Sequence, residues 1–139
     1  MALKDKESTK KSLGFENLNN VYFLGTKDYR ELPKYLSHFD AMVIPYQLND
    51  YTVGGCFPVK FLDYLAAGLP TIVTDLPTYA PFEKFCYVSK NENEFSQNIR
   101  VSLEENSPEK IKNRQKIAKD NTWEGKISAM LGFIGENLK

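Results

Sequence analysis

The run Pro58-Val59-Lys60-Phe61-Leu62-Asp63-Tyr64-Leu65-Ala66-Ala67-Gly68-Leu69-Pro70-Thr71-Ile72-Val73-Thr74 leaves this chain few folds to choose from. It reads as a helix opened by a proline, stopped by a glycine and followed at once by a buried β-branched strand. The preceding Val53-Gly54-Gly55-Cys56-Phe57 lets the backbone approach a ligand closely. Pro58 suits the first helical position, where its missing N–H would have been unpaired. A helix start behind such a loop favours an anion, because free N–H groups and the helix dipole both point at it.

Asp63 is the one acidic residue of this helix, five positions beyond Pro58. At roughly 1.5 Å rise per residue it lies about 7 to 8 Å along the axis. Helical side chains lean toward the N-terminus, so its carboxylate is expected to face whatever anion sits there. A nucleoside diphosphate has that layout, with phosphates for N–H donors and ribose hydroxyls for a carboxylate. The alternative is a solvated pair of Asp63 with Lys60 at i, i+3. Lys60, in the first turn, is equally placed to reach phosphates or to remain in water.

Short β-rich segments at Val21 to Leu24, Ala41 to Ile44, Thr71 to Thr74 and Cys86 to Ser89 alternate with helical stretches. This alternation predicts an α/β protein, a Rossmann-like parallel sheet with flanking helices. A helix is expected from Glu31 to Phe39, with Leu32, Tyr35, Leu36 and Phe39 at helical spacing and Pro33 tolerated in its first turn. From residue 91 to 139 the chain is expected to be wholly helical. Asn91 with Glu94 forms a capping pair before Phe95, Ile99 and Leu103, and Ser107-Pro108-Glu109 opens the next helix. The last helix, capped by Thr122, aligns Trp123, Ile127, Met130, Leu131, Ile134 and Leu138, while Gly125, Gly132 and Gly135 weaken it by roughly 1 kcal/mol each. Residues 1–139 are read as one domain, without internal repeats.

Eighteen basic residues balance eighteen acidic ones. A nucleic-acid binder would carry a basic surplus, so that class is excluded, and no basic patch for a membrane surface is expected. No apolar run reaches the roughly 18 to 20 residues that span a bilayer, and the N-terminus lacks a secretory apolar core. The expectation is a cytoplasmic protein with free thiols at Cys56 and Cys86 and no metal site. His38, the one histidine, follows a helix end and reads as ordinary dipole chemistry. Tyr46 and Tyr51 flank the glycine loop, placed either to stack on a ligand or simply to pack.

Asn20-Val21-Tyr22-Phe23-Leu24-Gly25, Glu31-Leu32-Pro33-Lys34-Tyr35-Leu36, Asp40-Ala41-Met42-Val43-Ile44-Pro45-Tyr46, the run quoted first, and Asn121-Thr122-Trp123-Glu124 occur in a familiar order. Together they resemble the C-terminal half of a retaining glycosyltransferase with the two-domain B-type fold. The resemblance covers about residue 18 to the C-terminus. It implies a nucleotide-sugar donor bound at Gly54, Gly55, Cys56, Phe57, Pro58, Lys60 and Asp63, with Tyr46 nearby and Gly25 giving the base room. The resemblance further implies a UDP-, GDP- or ADP-sugar as donor, no other cofactor, and transfer assisted by the departing phosphate, so no protein nucleophile is assigned.

Two departures from the family pattern matter. Of two acids eight positions apart, Asp63 matches the ribose-contacting second, but the first position is Gly55. Asn49 or Thr52, in the loop Asn49-Asp50-Tyr51-Thr52, is then the expected source of sugar contacts. The family's C-terminal half also opens with two strands ahead of the one matching Val21 to Gly25. The polar stretch Met1 to Lys11 resembles a start within the helix that follows them, so the chain is expected to be a fragment, inactive alone, whose acceptor is held by an N-terminal half. A sheet without its first two strands predicts a rearranged sheet or a homodimer, through the sheet edge or the last helix. The alternative function is a non-catalytic nucleotide-binding or regulatory α/β module, which would fit the glycine at position 55. A receiver-like domain is less consistent, since Asp75 alone does not form an acidic cluster.

Overall fold

The computed structural model describes residues 14, 15 and 17–137, apart from the side chain of Asn137, so the reading of Met1 to Lys11 lies outside the described residues. The chain divides into two compact units, Met1–Tyr35 and Leu36–Lys139.

In the first unit the segment Val21 to Leu24 is not a strand, contrary to its apolar pattern. Among the described residues no strand pairs with it, and Tyr22 and Leu24 are exposed. β-pattern alone fixes nothing without a ladder partner for the backbone N–H and C=O groups. The expected Glu31 to Phe39 helix is also shorter. A 3₁₀ turn, Tyr29–Glu31, leads into α1, Leu32–Leu36. Asp28 caps the turn by accepting from the Arg30 N–H at 2.8 Å. After Leu36 the Phe39 N–H closes onto the Leu36 carbonyl at 3.2 Å, ending the helix short of Phe39.

The second unit holds β1 (Met42–Ile44), α2 (Asp50–Val53), α3 (Lys60–Ala66), β2 (Thr71–Thr74), a 3₁₀ stretch Pro77–Phe82, β3 (Tyr87–Ser89), α4 (Glu92–Glu104), α5 (Pro108–Asp120) and α6 (Trp123–Asn137). The three strands form a parallel sheet in the order β1-β2-β3, with Val43 opposite Ile72 and Val73 opposite Val88. This is the expected Rossmann-like α/β arrangement followed by helices. Thr71, Ile72 and Val73 are fully buried, as in a central parallel strand covered on both faces.

The α3 stop is a Schellman turn: Leu69 N–H bonds the Tyr64 carbonyl at 3.1 Å and Gly68 N–H the Leu65 carbonyl at 2.9 Å. Gly68 has φ +78°, and an added Cβ would meet Ile111 Cγ2 at 2.7 Å. α3 packs against α5 there. α4 packs on β2 and β3, and Asn98 Nδ2 donates to the Val88 carbonyl at 3.1 Å and Ser89 Oγ at 2.9 Å. Both caps occur as read: Asn91 Oδ1 accepts from Glu94 N–H at 3.0 Å, and Ser107 Oγ from Lys110 N–H at 3.3 Å.

Ile44, Phe61, Leu65, Val73, Leu76, Tyr79 and Phe82 form the core. The Phe61 ring lies 4.9 Å from Tyr79 and 5.4 Å from Phe82, both edge-on. α6 is different, since its described side chains, Trp123, Met130, Leu131 and Phe133 among them, are exposed. Leu138, the last member of its stripe, lies outside the described residues.

Candidate functional site

The glycine loop begins from a helical turn, not the open loop the sequence suggested. Asn49 Oδ1 accepts from the Thr52 N–H at 3.0 Å while Thr52 Oγ1 accepts from the Asn49 N–H at 3.0 Å, a reciprocal capping box that builds α2. The Thr52 hydroxyl also donates to the Gln47 carbonyl at 2.7 Å, and Thr52 is buried. Thr52 Oγ1 and Asn49 Oδ1 are therefore engaged within this turn, while the exposed Asn49 keeps its amide Nδ2 outside these bonds.

The two glycines that follow are needed for different reasons. Gly54 has an ordinary φ of -73°, but a Cβ there would lie 2.6 Å from the Asp50 carbonyl oxygen. Gly55 has open space around it but a φ of +150°, which L side chains rarely adopt. With Asp50, Tyr51 and Cys56 they line a hollow of about 340 Å³.

α3 starts more tightly than a bare helix end. Val59 is its N-cap, and the Phe61 and Leu62 N–H groups bond the Pro58 and Val59 carbonyls at 2.9 and 3.1 Å. Among the described residues the N–H groups of Val59 and Lys60 have no such partner. Lys60 Nζ lies 5.5 Å from the centroid of the Tyr46 ring, a cation–π contact. Burial raises the Tyr46 phenol above its ordinary pKa, with the adjoining Cys56 thiol adding to the shift. Tyr46, Cys56 and Lys60 are thus brought together just past the carboxyl end of β1. Asp63, half-buried, lies near the middle of α3 and adds to the raised pKa of Tyr64, which is mainly due to burial. Phe57 and Pro58 serve the core, Phe57 lying 6.3 Å from Phe61 and Pro58 being buried. Gly25, with φ +73°, belongs to the other unit.

Beside Tyr46 runs a larger crevice of about 610 Å³ that sequence reading missed. It lies at the carboxyl ends of all three strands, where Pro45, Thr74 and Ser89 meet Asn91 and Phe95 of the α4 start. Open parallel sheets bind ligands at this edge. The legible signal was the Asn91–Glu94 capping pair directly after β3. Behind the loop, the Tyr79 hydroxyl is buried without a hydrogen-bond partner among the described residues, and burial drives its pKa upward. Among the described residues no cluster of three or more His, Cys, Asp or Glu side chains could hold a metal ion, and no helix is long and apolar enough to cross a membrane.

A glycine turn without side chains beside a held ammonium leaves room for an oxyanion. Over 123 residues the chain is 29% identical to a protein of Bacillus subtilis (strain 168) described as a teichuronic acid biosynthesis glycosyltransferase, TuaH, covering 85% of this chain. The match spans 31% of that relative's length. No solved structure matches. The family model for glycosyl transferases group 1 matches residues 3–105, and the chain belongs to that family.

Proposed function

We propose that this chain forms the donor-binding part of a glycosyltransferase, holding a nucleotide-diphospho-sugar for transfer to an acceptor bound by a part of the enzyme beyond this chain. The observation that carries the reading is the convergence of Tyr46, Cys56 and Lys60 on the Gly54–Gly55 turn at the carboxyl end of β1. In this reading the Val59 and Lys60 N–H groups and the Lys60 ammonium receive the diphosphate, and Asp63 accepts from the ribose hydroxyls. Gly54 and Gly55 let the phosphates approach the backbone. The sugar lies toward the hollow beside Asp50 and Tyr51, whose shape Asn49 and Thr52 fix. Catalysis then consists of stabilising charge on the departing diphosphate and orienting the sugar, with a hexosyl group as the transferred unit. This chain alone would bind donor without turning it over.

Gly55, where the family pattern carries an acid, favours a second reading as a non-catalytic nucleotide-binding module. One experiment addresses both: a ligand-observed NMR titration with UDP, GDP, ADP and their glucose or mannose conjugates, repeated on Asp63→Ala. Saturation by one nucleotide, weakened about tenfold or more in the variant, supports a donor site. Preference for the sugar conjugate over the bare diphosphate favours the transferase, and preference for the bare nucleotide favours the module. Binding unaffected by Asp63→Ala overturns the assigned site.

A further inference from the structure

A separate pocket lies at the opposite end of the sheet, by the amino end of β3. Lined by Tyr87, Lys84, Glu83 and the α5 residues Lys110, Asn113 and Arg114, it holds about 230 Å³. The three α5 residues stand at i, i+3 and i+4 and so share one helix face. Arg114 is 3% exposed. Its Nη1 donates to the Gly68 carbonyl at 3.0 Å and to Asn106 Oδ1 at 2.8 Å, both uncharged acceptors. Among the described residues no carboxylate lies within ion-pair distance of it. A buried guanidinium without a counter-charge is costly, and five N–H donors in a planar fork are more than Nη1's two bonds employ. The Tyr87 phenol adjoins both Arg114 and Lys110. Lys110 stands at the rim, its ammonium 2.6 Å from Glu105. Counting Lys84, Lys110 and Arg114 against Glu83 and Glu105 leaves one positive charge uncompensated.

We propose that this pocket binds a phosphoryl group, carried either by free phosphate or by a sugar phosphomonoester, at a site separate from the sheet edge that bears the glycine turn. Guanidinium, ammonium, phenol and the Asn113 amide line the pocket from a helix and from a strand start. A tetrahedral oxyanion can satisfy donors from several directions, whereas a planar carboxylate takes two along one edge.

The test follows the Arg114 side-chain Nε–H and the backbone amides of Tyr87, Asn113 and Arg114 by NMR. The full chain is titrated with inorganic phosphate, glucose 1-phosphate or acetate at matched ionic strength. Saturable shifts confined to these groups with a phosphate ligand, weakened about tenfold or more in Lys110→Met, support the site. The tighter of the two phosphate ligands identifies the source. Lys110 is a half-exposed rim residue whose replacement leaves the core intact. Arg114→Lys, checked for folding by circular dichroism, is expected to weaken binding although it retains the charge, because the fork is lost. Acetate matching phosphate, shifts unchanged in Lys110→Met, or no local shift at millimolar ligand would overturn the proposal.

Discussion

Arg114 Nη1 and the carbonyl of Gly68 are joined by a 3.0 Å hydrogen bond that ties the middle of α5 to the end of α3. Gly68 is doubly constrained at that point, by φ +78° and by Ile111 Cγ2 lying 2.7 Å from where a Cβ would sit. Gly68→Ala is therefore expected to cost about 1 to 2 kcal/mol for the backbone conformation alone, with crowding added. In urea denaturation, Gly68→Ala made in an Ile111→Ala background, which lacks Cγ2, should be free of the crowding part and keep the backbone part. Full recovery would mean that the left-handed conformation costs nothing here.

Tyr79 offers the reverse case, since its hydroxyl is buried without a partner among the described residues. Its ring is packed against Phe61 at 4.9 Å. Tyr79→Phe retains the ring and removes an unsatisfied group whose burial costs about 1 to 3 kcal/mol. The variant is expected to melt at the same temperature or higher. A lower melting temperature would reveal a hydrogen bond made by that hydroxyl in solution.

The glycine turn gives a paired prediction. Gly54→Ala collides with the Asp50 carbonyl, and Gly55→Ala is strained at φ +150°, by roughly 1 to 3 kcal/mol. Both should lower stability, but only at position 55 would a D-alanine introduced by chemical synthesis be tolerated. If L-Ala and D-Ala behave alike at 55, the turn relaxes freely.

Burial, with a contribution from Glu83, pushes the Cys86 thiol from 9.0 up to about 12. The folded state then holds this proton over a range in which the unfolded chain releases it. The stabilisation is full below about pH 9 and is lost as pH rises toward 12, at no more than about 1.4 kcal/mol per pH unit. Cys86→Ala should flatten the alkaline limb of a stability–pH curve measured between those values. At pH 8, alkylation should reach the half-buried Cys56 long before Cys86.

What could be read in the sequence follows from how local each signal is. The β-branched runs at Met42, Thr71 and Tyr87 carry their strand character within a few residues, and Asn91 and Ser107 announce their helices within one turn. Val21 to Leu24 carried the same pattern, yet pairing depends on a partner that local pattern does not contain. α2 was missed because four residues are too few for periodicity, although Asn49 and Thr52 already had capping-box spacing. Of the proposed site residues, the grouping of Tyr46 with Lys60 follows from the fold bringing the end of β1 to the start of α3. Arg114 was the least legible. In the polar run Lys112-Asn113-Arg114-Gln115-Lys116 nothing marks it as the member that turns inward.

Parallel pairing also sets a schedule for the nascent chain. The β1–β2 ladder cannot form until Thr71 to Thr74 has been synthesised, and the carbonyl at the α3 stop waits for its guanidinium until residue 114 has left the ribosome. Until then the apolar faces of Ile44, Phe61 and Leu65 have only part of their final neighbours. Chains interrupted between β3 and α5 thus still offer part of that surface to chaperones and proteases, and slower translation over that interval would lengthen their exposure.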